Sequence, residues 1–320
     1  MTLEVRDLSL EYARPGLDPV RALNRVRLTV AGDEILGLVG ESGCGKSSLA
    51  YSILRVLPLN GRITEGQIIF ENRDLLSLSD HRMRNIRWAR IAMVFQSSMN
   101  SFSPVHRIVD QLAAVHSVHL GSDKREARRV AERALVRVGI PPDRVRCYPH
   151  EFSGGMRQRA AIALAMLLDP QVLIADEPTT ALDVVVQDQI LKMIESWQRE
   201  NRSTVIFVSH DVTVVAEMCH RIAVMYAGEL VELADTDLVV THPMHPYTDA
   251  LLKCLPRVRR GAERLVTLPG IPPDLSQRYD GCLFQPRCPL AFGECATTKP
   301  DLYELPRGQL TRCLLRRAQP

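Results

Sequence analysis

Residues 40–47 read GESGCGKS and fit the spacing G-x-x-x-x-G-K-S. Glycines at Gly40, Gly43 and Gly45 let backbone N–H groups converge on phosphate oxygens. Lys46 is long enough to reach terminal phosphates, and Ser47 offers a hydroxyl to Mg²⁺. Glu41, Ser42, Cys44 and Ser48 complete the stretch expected to touch a nucleotide. A glycine-rich turn with no ligand is the plainer alternative, but the flanks favour the phosphate loop: EILGLV before it reads as a strand and SSLAYSILRVL after it as a helix. Cys44, among loop amides and beside Lys46, is expected to carry thiolate character and to react with alkylating reagents.

A second group closes the apolar run VLIADEP, where Asp176 and Glu177 are adjacent. Asp176 suits a partner of Mg²⁺, direct or through water. Glu177, one residue past the strand end, suits the base that polarises a water for attack on a γ-phosphate. Alone, two acids in this position could equally cap the next helix; with a phosphate loop in the same chain they read as hydrolytic. Between the two groups lies FSGGMRQR at 152–159, with Ser153 a good N-cap for the Ala/Leu-rich sequence that follows.

The chain has eight cysteines, four of them near its end: Cys282, Cys288 and Cys295 in GCLFQPRCPLAFGEC, and Cys313 in TRCLL. The close C-x₂₋₄-C pairs of zinc knuckles are absent. Four thiolates with open, proline-bearing spacing suit an iron–sulfur cubane, with zinc and free or oxidised thiols as the alternatives. Cys147, Cys219 and Cys254 are scattered and read as small apolar residues.

The elements that must position these groups follow from pattern and composition. At 320 residues, with 46% hydrophobic and 24% charged, the chain is globular and long enough for about two domains. Forty basic and 37 acidic residues are well mixed to a net +3, with short clusters such as Arg257 to Arg260, so charge alone implies no nucleic acid. The apolar stretch AAIALAMLL stops at Asp169-Pro170, short of the ~18 residues that span a bilayer. MTLEVRDLSLEY alternates like a strand and lacks a signal-peptide plan, which places the chain in the cytosol, where clustered cysteines favour metal over disulfide. Val26 to Val30, Glu34 to Val39, IADE at 174–177 and TVIFVSH at 204–210 read as strands of an α/β core. The stretch at 122–140 puts Ala and Val on one side and charges on the other, a helix of an inserted subdomain with Ser122 or Asp123 as its cap. Beyond Asp235 the composition turns to Pro, Arg and Cys, marking a C-terminal extension. The domain reading is 1–96 and 158–235 for the core, 97–157 for the helical insert and 236–320 for the extension.

SGGM-x-QR ahead of the ADE strand resembles the signature of the ABC-transporter ATPases, LSGGQ, with Phe152 in place of Leu and Met156 in place of Gln. That family's remaining motifs stand in order: Gln96 in MVFQ, Ala181-Leu182-Asp183, and His210 in FVSHD. The resemblance implies a P-loop, RecA-like core with an inserted helical subdomain. It also implies ATP and Mg²⁺ as ligands, with Ser47, Gln96 and Asp176 toward the metal and Glu177, His210 and Gln96 toward hydrolysis. In such a family each ATP lies between the phosphate loop of one subunit and Ser153, Gly154, Gly155 and Asp183 of another. Tyr12 is a candidate to stack on adenine or a packed strand aromatic, the insertion at 13–20 blurring the match.

IADEPTTALDVVVQ, VMYAGELVELAD, HPMHPYTDALL and GC-x-x-x-PRCP further resemble the oligopeptide/dipeptide importer branch. This implies import of di- or oligopeptides, with nickel, glutathione or oligosaccharide as other solutes. The implied partners are a paralogous ATPase, two transmembrane permease subunits and, indirectly, an extracytoplasmic solute-binding protein, with no nucleic acid. The implied place is the cytoplasmic face of the inner membrane, with a [4Fe–4S] cluster on Cys282, Cys288, Cys295 and Cys313. Ser97, Ser98 and Phe102 depart from the branch where contacts to the membrane partner are expected, and Phe152 is expected to keep a leucine's packing role. A DNA- or ribosome-acting ABC ATPase is disfavoured by the lack of heptad inserts and of a second cassette. Intact Lys46, Asp176, Glu177 and His210 disfavour an inactive scaffold.

Overall fold

The alternation in LEVRDLSLEYAR folds as β1 (Leu3–Arg14), whose inward Leu3, Val5, Leu8 and Leu10 are buried. β1 runs antiparallel to β2 (Leu17–Val30), pairing Leu3 with Val30 and Val5 with Leu28. The computed structural model describes residues 3–96, 101–180, 182–254 and 268–317. The described chain forms two units, one of the residues up to Ser77 with those from Phe207 onward, the other of Leu78–Ile206.

The first unit continues with β3 (Ile35–Val39), α1 (Lys46–Leu54), β4 (Gly61–Phe70) and β5 (Arg73–Asp74). All five residues of β3 are buried, as befits a strand covered on both faces. The two strands expected around Gly32-Asp33 are present, the first reaching back to Leu17. β4 pairs with the other edge of β1, giving the order β2-β1-β4-β5.

The second unit holds α2 (Asp80–Ile86), β6 (Ile91–Val94), α3 (Ile108–Leu120), α4 (Lys124–Arg137), α5 (Gly154–Met166), β7 (Val172–Asp176) and α6 (Val184–Asn201). The chain passes back to the first unit within β8 (Thr204–Val208). β6 and β7 pair in parallel, Ile91 opposite Val172. Asp123, rather than Ser122, caps α4, its carboxylate accepting from the N–H groups of Arg125 and Glu126 at 2.8 and 3.0 Å. Such a cap contributes about 1 kcal/mol. Ser122 instead meets Nδ1 of His116 at 2.6 Å. Ala127, Ala131 and Leu135 of α4 pack with Leu112, Phe102 and Phe152 in one apolar cluster. Phe152 therefore packs as expected, whereas Phe102 is core and not a surface contact. Ser97, Ser98 and Ala181 lie outside the described residues.

The return to the first unit brings α7 (Val212–Met218), β9 (Arg221–Tyr226), β10 (Glu229–Asp235), α8 (Thr236–Thr241) and α9 (Pro246–Lys253). Two short strands follow, β11 (Tyr303–Glu304) and β12 (Leu310–Thr311). Within this unit the strands run β11-β12-β10-β9-β3, so β12 extends the sheet by pairing Thr311 with Glu232. Arg257 to Arg260 lie outside the described residues. Among the described residues no helix is long and apolar enough to cross a membrane.

His245 ties α9 to this sheet. Its backbone N–H donates to Glu232 at 2.9 Å, and its Nδ1 accepts from the N–H of Tyr247 at 3.0 Å. Burial lowers its pKa from 6.5 to about 3, so the folded protein keeps the imidazole neutral. Below pH 6.5 the unfolded chain takes up a proton that the folded chain refuses. This contribution to stability is full above 6.5 and is lost as pH falls toward 3. Burial raises Glu232, whose effect runs the other way: its carboxyl protonates first in the folded state, favouring folding as pH falls toward 4.5. Denaturant titrations at pH 7 and 5 should show wild type losing about 2 kcal/mol more than His245→Asn. Equal losses in the two proteins would remove His245 from the account.

Candidate active site

In the first unit β3 delivers the chain to a loop that only glycine can follow. Gly40, Gly43 and Gly45 have φ of 149°, 79° and 107°. A Cβ on Gly45 would lie 2.5 Å from the carbonyl oxygen of Ala22, whereas one on Gly43 would meet nothing within 4 Å. One side of the loop is therefore closed by backbone, and Gly43 faces open space. Lys46 begins α1, and its buried ammonium donates to the carbonyls of Gly40 at 2.7 Å and Glu41 at 3.0 Å. Ser42 and Gly43 are exposed, and Ser47 and Ser48 half-buried. The hydroxyl of Tyr12 lies 3.2 Å from Ser48 Oγ, and its ring lies against Gly61. His210 is exposed just beyond β8.

Cys44 corrects an expectation. It is only 4% exposed, and burial pushes its thiol upward, outweighing the opposing influence of Lys46. The loop amides are not enough to offset the loss of water. Cys44 in the native protein should therefore resist iodoacetamide at neutral pH, with peptide mass mapping showing label there only after unfolding. Native labelling faster than at half-buried Cys147 would restore the reactive thiol.

In the second unit β7 ends on Asp176, fully buried, and Glu177 follows with φ 48°. A non-glycine residue held there stores about 1–3 kcal/mol, a cost found where function over-determines the backbone. Glu177 Oε2 accepts from Gln96 Nε2 at 2.8 Å and from the Thr180 hydroxyl at 3.0 Å. The structure thus brings together Gln96 and Glu177, 81 residues apart, and adds Thr180, which sequence reading did not name. Ser153 caps α5, accepting from Met156 N–H at 3.2 Å, and Asp183 caps α6, accepting from Val186 N–H at 2.9 Å. Gly154 and Gly155 open α5, and Gly155 lies beside Val186. Ser47, Gln96 and Asp176 carry a hydroxyl, an amide carbonyl and a carboxylate, oxygen donors whose chemistry fits Mg²⁺.

Two residues of the C-terminal segment reach the phosphate loop. Arg287 grips the Glu41 carboxylate with both Nη atoms, at 2.7 and 2.9 Å, and the Tyr247 hydroxyl accepts the Glu41 N–H at 2.9 Å. The partners are more than 200 residues apart, so no local pattern announces them.

The four terminal cysteines also converge. Cys282 and Cys288 are half-buried, Cys295 and Cys313 buried, and the Cys282 N–H donates to the Cys295 carbonyl at 2.9 Å. Burial pushes Cys282 up to about 11, with Cys295, Cys313 and Cys288 adding to the rise. Cys288 and Cys313 are raised by burial as well. Among the described residues no group of three His, Cys, Asp or Glu side chains is placed to hold a metal ion.

Residues 23–180 match the ABC transporter family, and 231–295 match the oligopeptide/dipeptide transporter C-terminal region. The chain is 46% identical to a probable peptide ABC transporter ATP-binding protein of Sinorhizobium fredii, over 98% of this chain and 94% of that one. It is 42% identical to the oligopeptide transport ATP-binding protein OppD of Escherichia coli, over 97% of this chain and 92% of that one. The protein belongs to the peptide-transporter branch of the ABC ATPases. The ATP-binding cassette MJ0796, in a dimeric post-hydrolysis state bound to ADP and Pi, superposes with a TM-score of 0.67. It is 26% identical and covers 73% of this chain and 98% of its own. The ABC ATPase fold is thus present, and the expected P-loop core with it.

Proposed function

We propose that this ABC ATPase hydrolyses ATP to drive import of di- or oligopeptides, working peripherally at the cytoplasmic face of the inner membrane. The observation that carries the reading is the Glu177 carboxylate held by Gln96 and Thr180 at the end of β7, in a chain with a complete phosphate loop. Gly40 to Ser48 bind the phosphates, Lys46 exchanging its loop carbonyls for phosphate oxygens. Ser47, Gln96 and Asp176 are the oxygen donors that would hold Mg²⁺, which would supply charge neutralisation at the phosphates. Glu177 orients and deprotonates the attacking water, His210 assists at the γ-phosphate, and Tyr12 supports the adenine. Ser153, Gly154, Gly155 and Asp183 serve the nucleotide of a second, paralogous ATPase. The exposure of Ser153 and Asp183 at helix starts supports that role.

In this reading 1–96 with 158–235 is the nucleotide-binding core, 97–157 the helical subdomain and 236–320 the extension. Two permease subunits in the membrane take up the motion, and a solute-binding protein supplies the peptide from outside. Co-purification from membranes with identification of the bound subunits tests this, together with peptide uptake by reconstituted vesicles. Peptide-dependent uptake with two permeases supports it. Uptake of nickel, glutathione or an oligosaccharide instead corrects the solute, and isolation with nucleic acid and no permease overturns it. The [4Fe–4S] reading of Cys282, Cys288, Cys295 and Cys313, with zinc as its alternative, rests on the motif resemblance. About four irons and four sulfides per anaerobically purified chain would support it, and no step above passes through it.

A further inference from the structure

The phosphate loop has a mechanical difficulty that its own residues do not solve. Its glycines leave the backbone free, and freedom must be given up when a nucleotide is bound. Lys46 helps close the loop by donating to Gly40 and Glu41, but these are contacts it must release to reach phosphates. Something else has to keep the loop in shape at that moment.

Glu41 has such a support. Its carbonyl accepts from Lys46 and from the Cys44 N–H at 3.2 Å, inside the loop, while its N–H and carboxylate point to the C-terminal segment. The N–H donates to Tyr247, and the carboxylate receives the two-pronged grip of Arg287. Arg287 is itself fixed. Its side chain is only 3% exposed, its Nε donates to the Pro269 carbonyl at 2.8 Å and its Nη1 to the Tyr226 hydroxyl at 3.3 Å. Tyr226, Tyr247 and Phe284 pack ring against ring at 4.6 to 5.5 Å around this point. A planar guanidinium matched to both carboxylate oxygens constrains direction as well as distance, which an ammonium cannot do.

We propose that Arg287, with Tyr247, is a positioning residue for nucleotide binding: the C-terminal extension holds Glu41 and keeps the phosphate loop open as Lys46 turns to the phosphates. The inference rests on the ATPase reading above and assigns the extension a part in it. It has a selective signature. Tyr247 and Arg287 hold the loop that binds phosphates, so their loss acts on nucleotide affinity rather than on the chemical step.

The test is a double-mutant cycle on the full chain, with Mg-ATP binding by calorimetry and turnover in the assembled transporter. Arg287→Ala should weaken Mg-ATP binding and raise KM by about tenfold, with kcat held within about twofold. Arg287→Lys should fall between, and Tyr247→Phe should cost about threefold. Adding Glu41→Ala to Arg287→Ala should cost no more than the larger single change, because both remove one interaction. Arg317→Ala, which breaks an exposed pair with Glu294 in the same segment, should change nothing. Should Arg287→Ala fail to fold, Arg287→Lys and Tyr247→Phe carry the same test. Folded variants with unchanged affinity, multiplicative losses in the double variant, or a fall in kcat at constant KM would each overturn the inference. If wild-type protein binds no Mg-ATP at all, the ATPase reading falls and takes this inference with it.

Discussion

Glu177→Gln is expected to bind Mg-ATP as tightly as wild type and to turn over at less than about a hundredth of its rate, the usual scale for removing a general base. Glutamine keeps the shape, and its amide oxygen can accept from Gln96 and Thr180 as the carboxylate does at 2.8 and 3.0 Å. What it loses is the capacity to take a proton. The loop that binds phosphates is built from other residues entirely, so affinity should survive. Single-turnover hydrolysis alongside equilibrium binding separates the two effects. A variant hydrolysing at near-wild-type rate would falsify the assignment, and one that lost binding and turnover together would make Glu177 a structural residue of the β7 end.

The second large effect is expected from Gly40→Ala. Gly40 has φ 149°, and a Cβ there would lie 2.1 Å from the Met225 carbonyl oxygen and 2.8 Å from Cys44 Sγ. The carbonyl belongs to β9 and cannot move without disturbing its ladder with β10. Backbone strain of about 1–3 kcal/mol adds to a similar cost of overpacking. Gly43→Ala has the first cost without the second, since its Cβ meets nothing. Thermal unfolding should therefore rank Gly40→Ala well below Gly43→Ala, with Mg-ATP binding abolished in the former. Equal midpoints for the two would mean that the loop tolerates displacement at β9.

What could be read from the sequence was whatever is local. The phosphate loop is nine consecutive residues between a strand and a helix, and Asp176 and Glu177 sit where an apolar run ends. Period and capping gave α4, down to Asp123 as one of two possible caps. The hydrogen bond from Gln96 to Glu177 could only be inferred through a resemblance, because nothing in either stretch codes for the other. Arg287 was hidden more deeply. It stands in the PRCP segment, where the neighbouring cysteines draw attention, yet its partner is 246 residues away. Cys44 misled for a different reason: sequence reveals Lys46 and the loop amides but not the loss of water, and desolvation is the larger influence. Phe102 likewise sits in a polar stretch, SSMNSFSP, and is buried only because α3 and its neighbours close over it.

The pairing of β3 with β9 has a consequence for how the protein is made. Leu36 lies opposite Arg221, roughly 185 residues later. At ordinary synthesis rates, about ten to forty seconds separate the emergence of the two strands from the ribosome. β1, β2 and β4 are near neighbours in the chain and can pair at once, but ILGLV, buried at every position in the finished protein, lacks its β9 partner until then. The contiguous middle of the chain can fold ahead of both ends. A nascent chain therefore carries a short, uncharged, strand-forming apolar segment through most of its synthesis, and folding of the nucleotide loop at its end comes late.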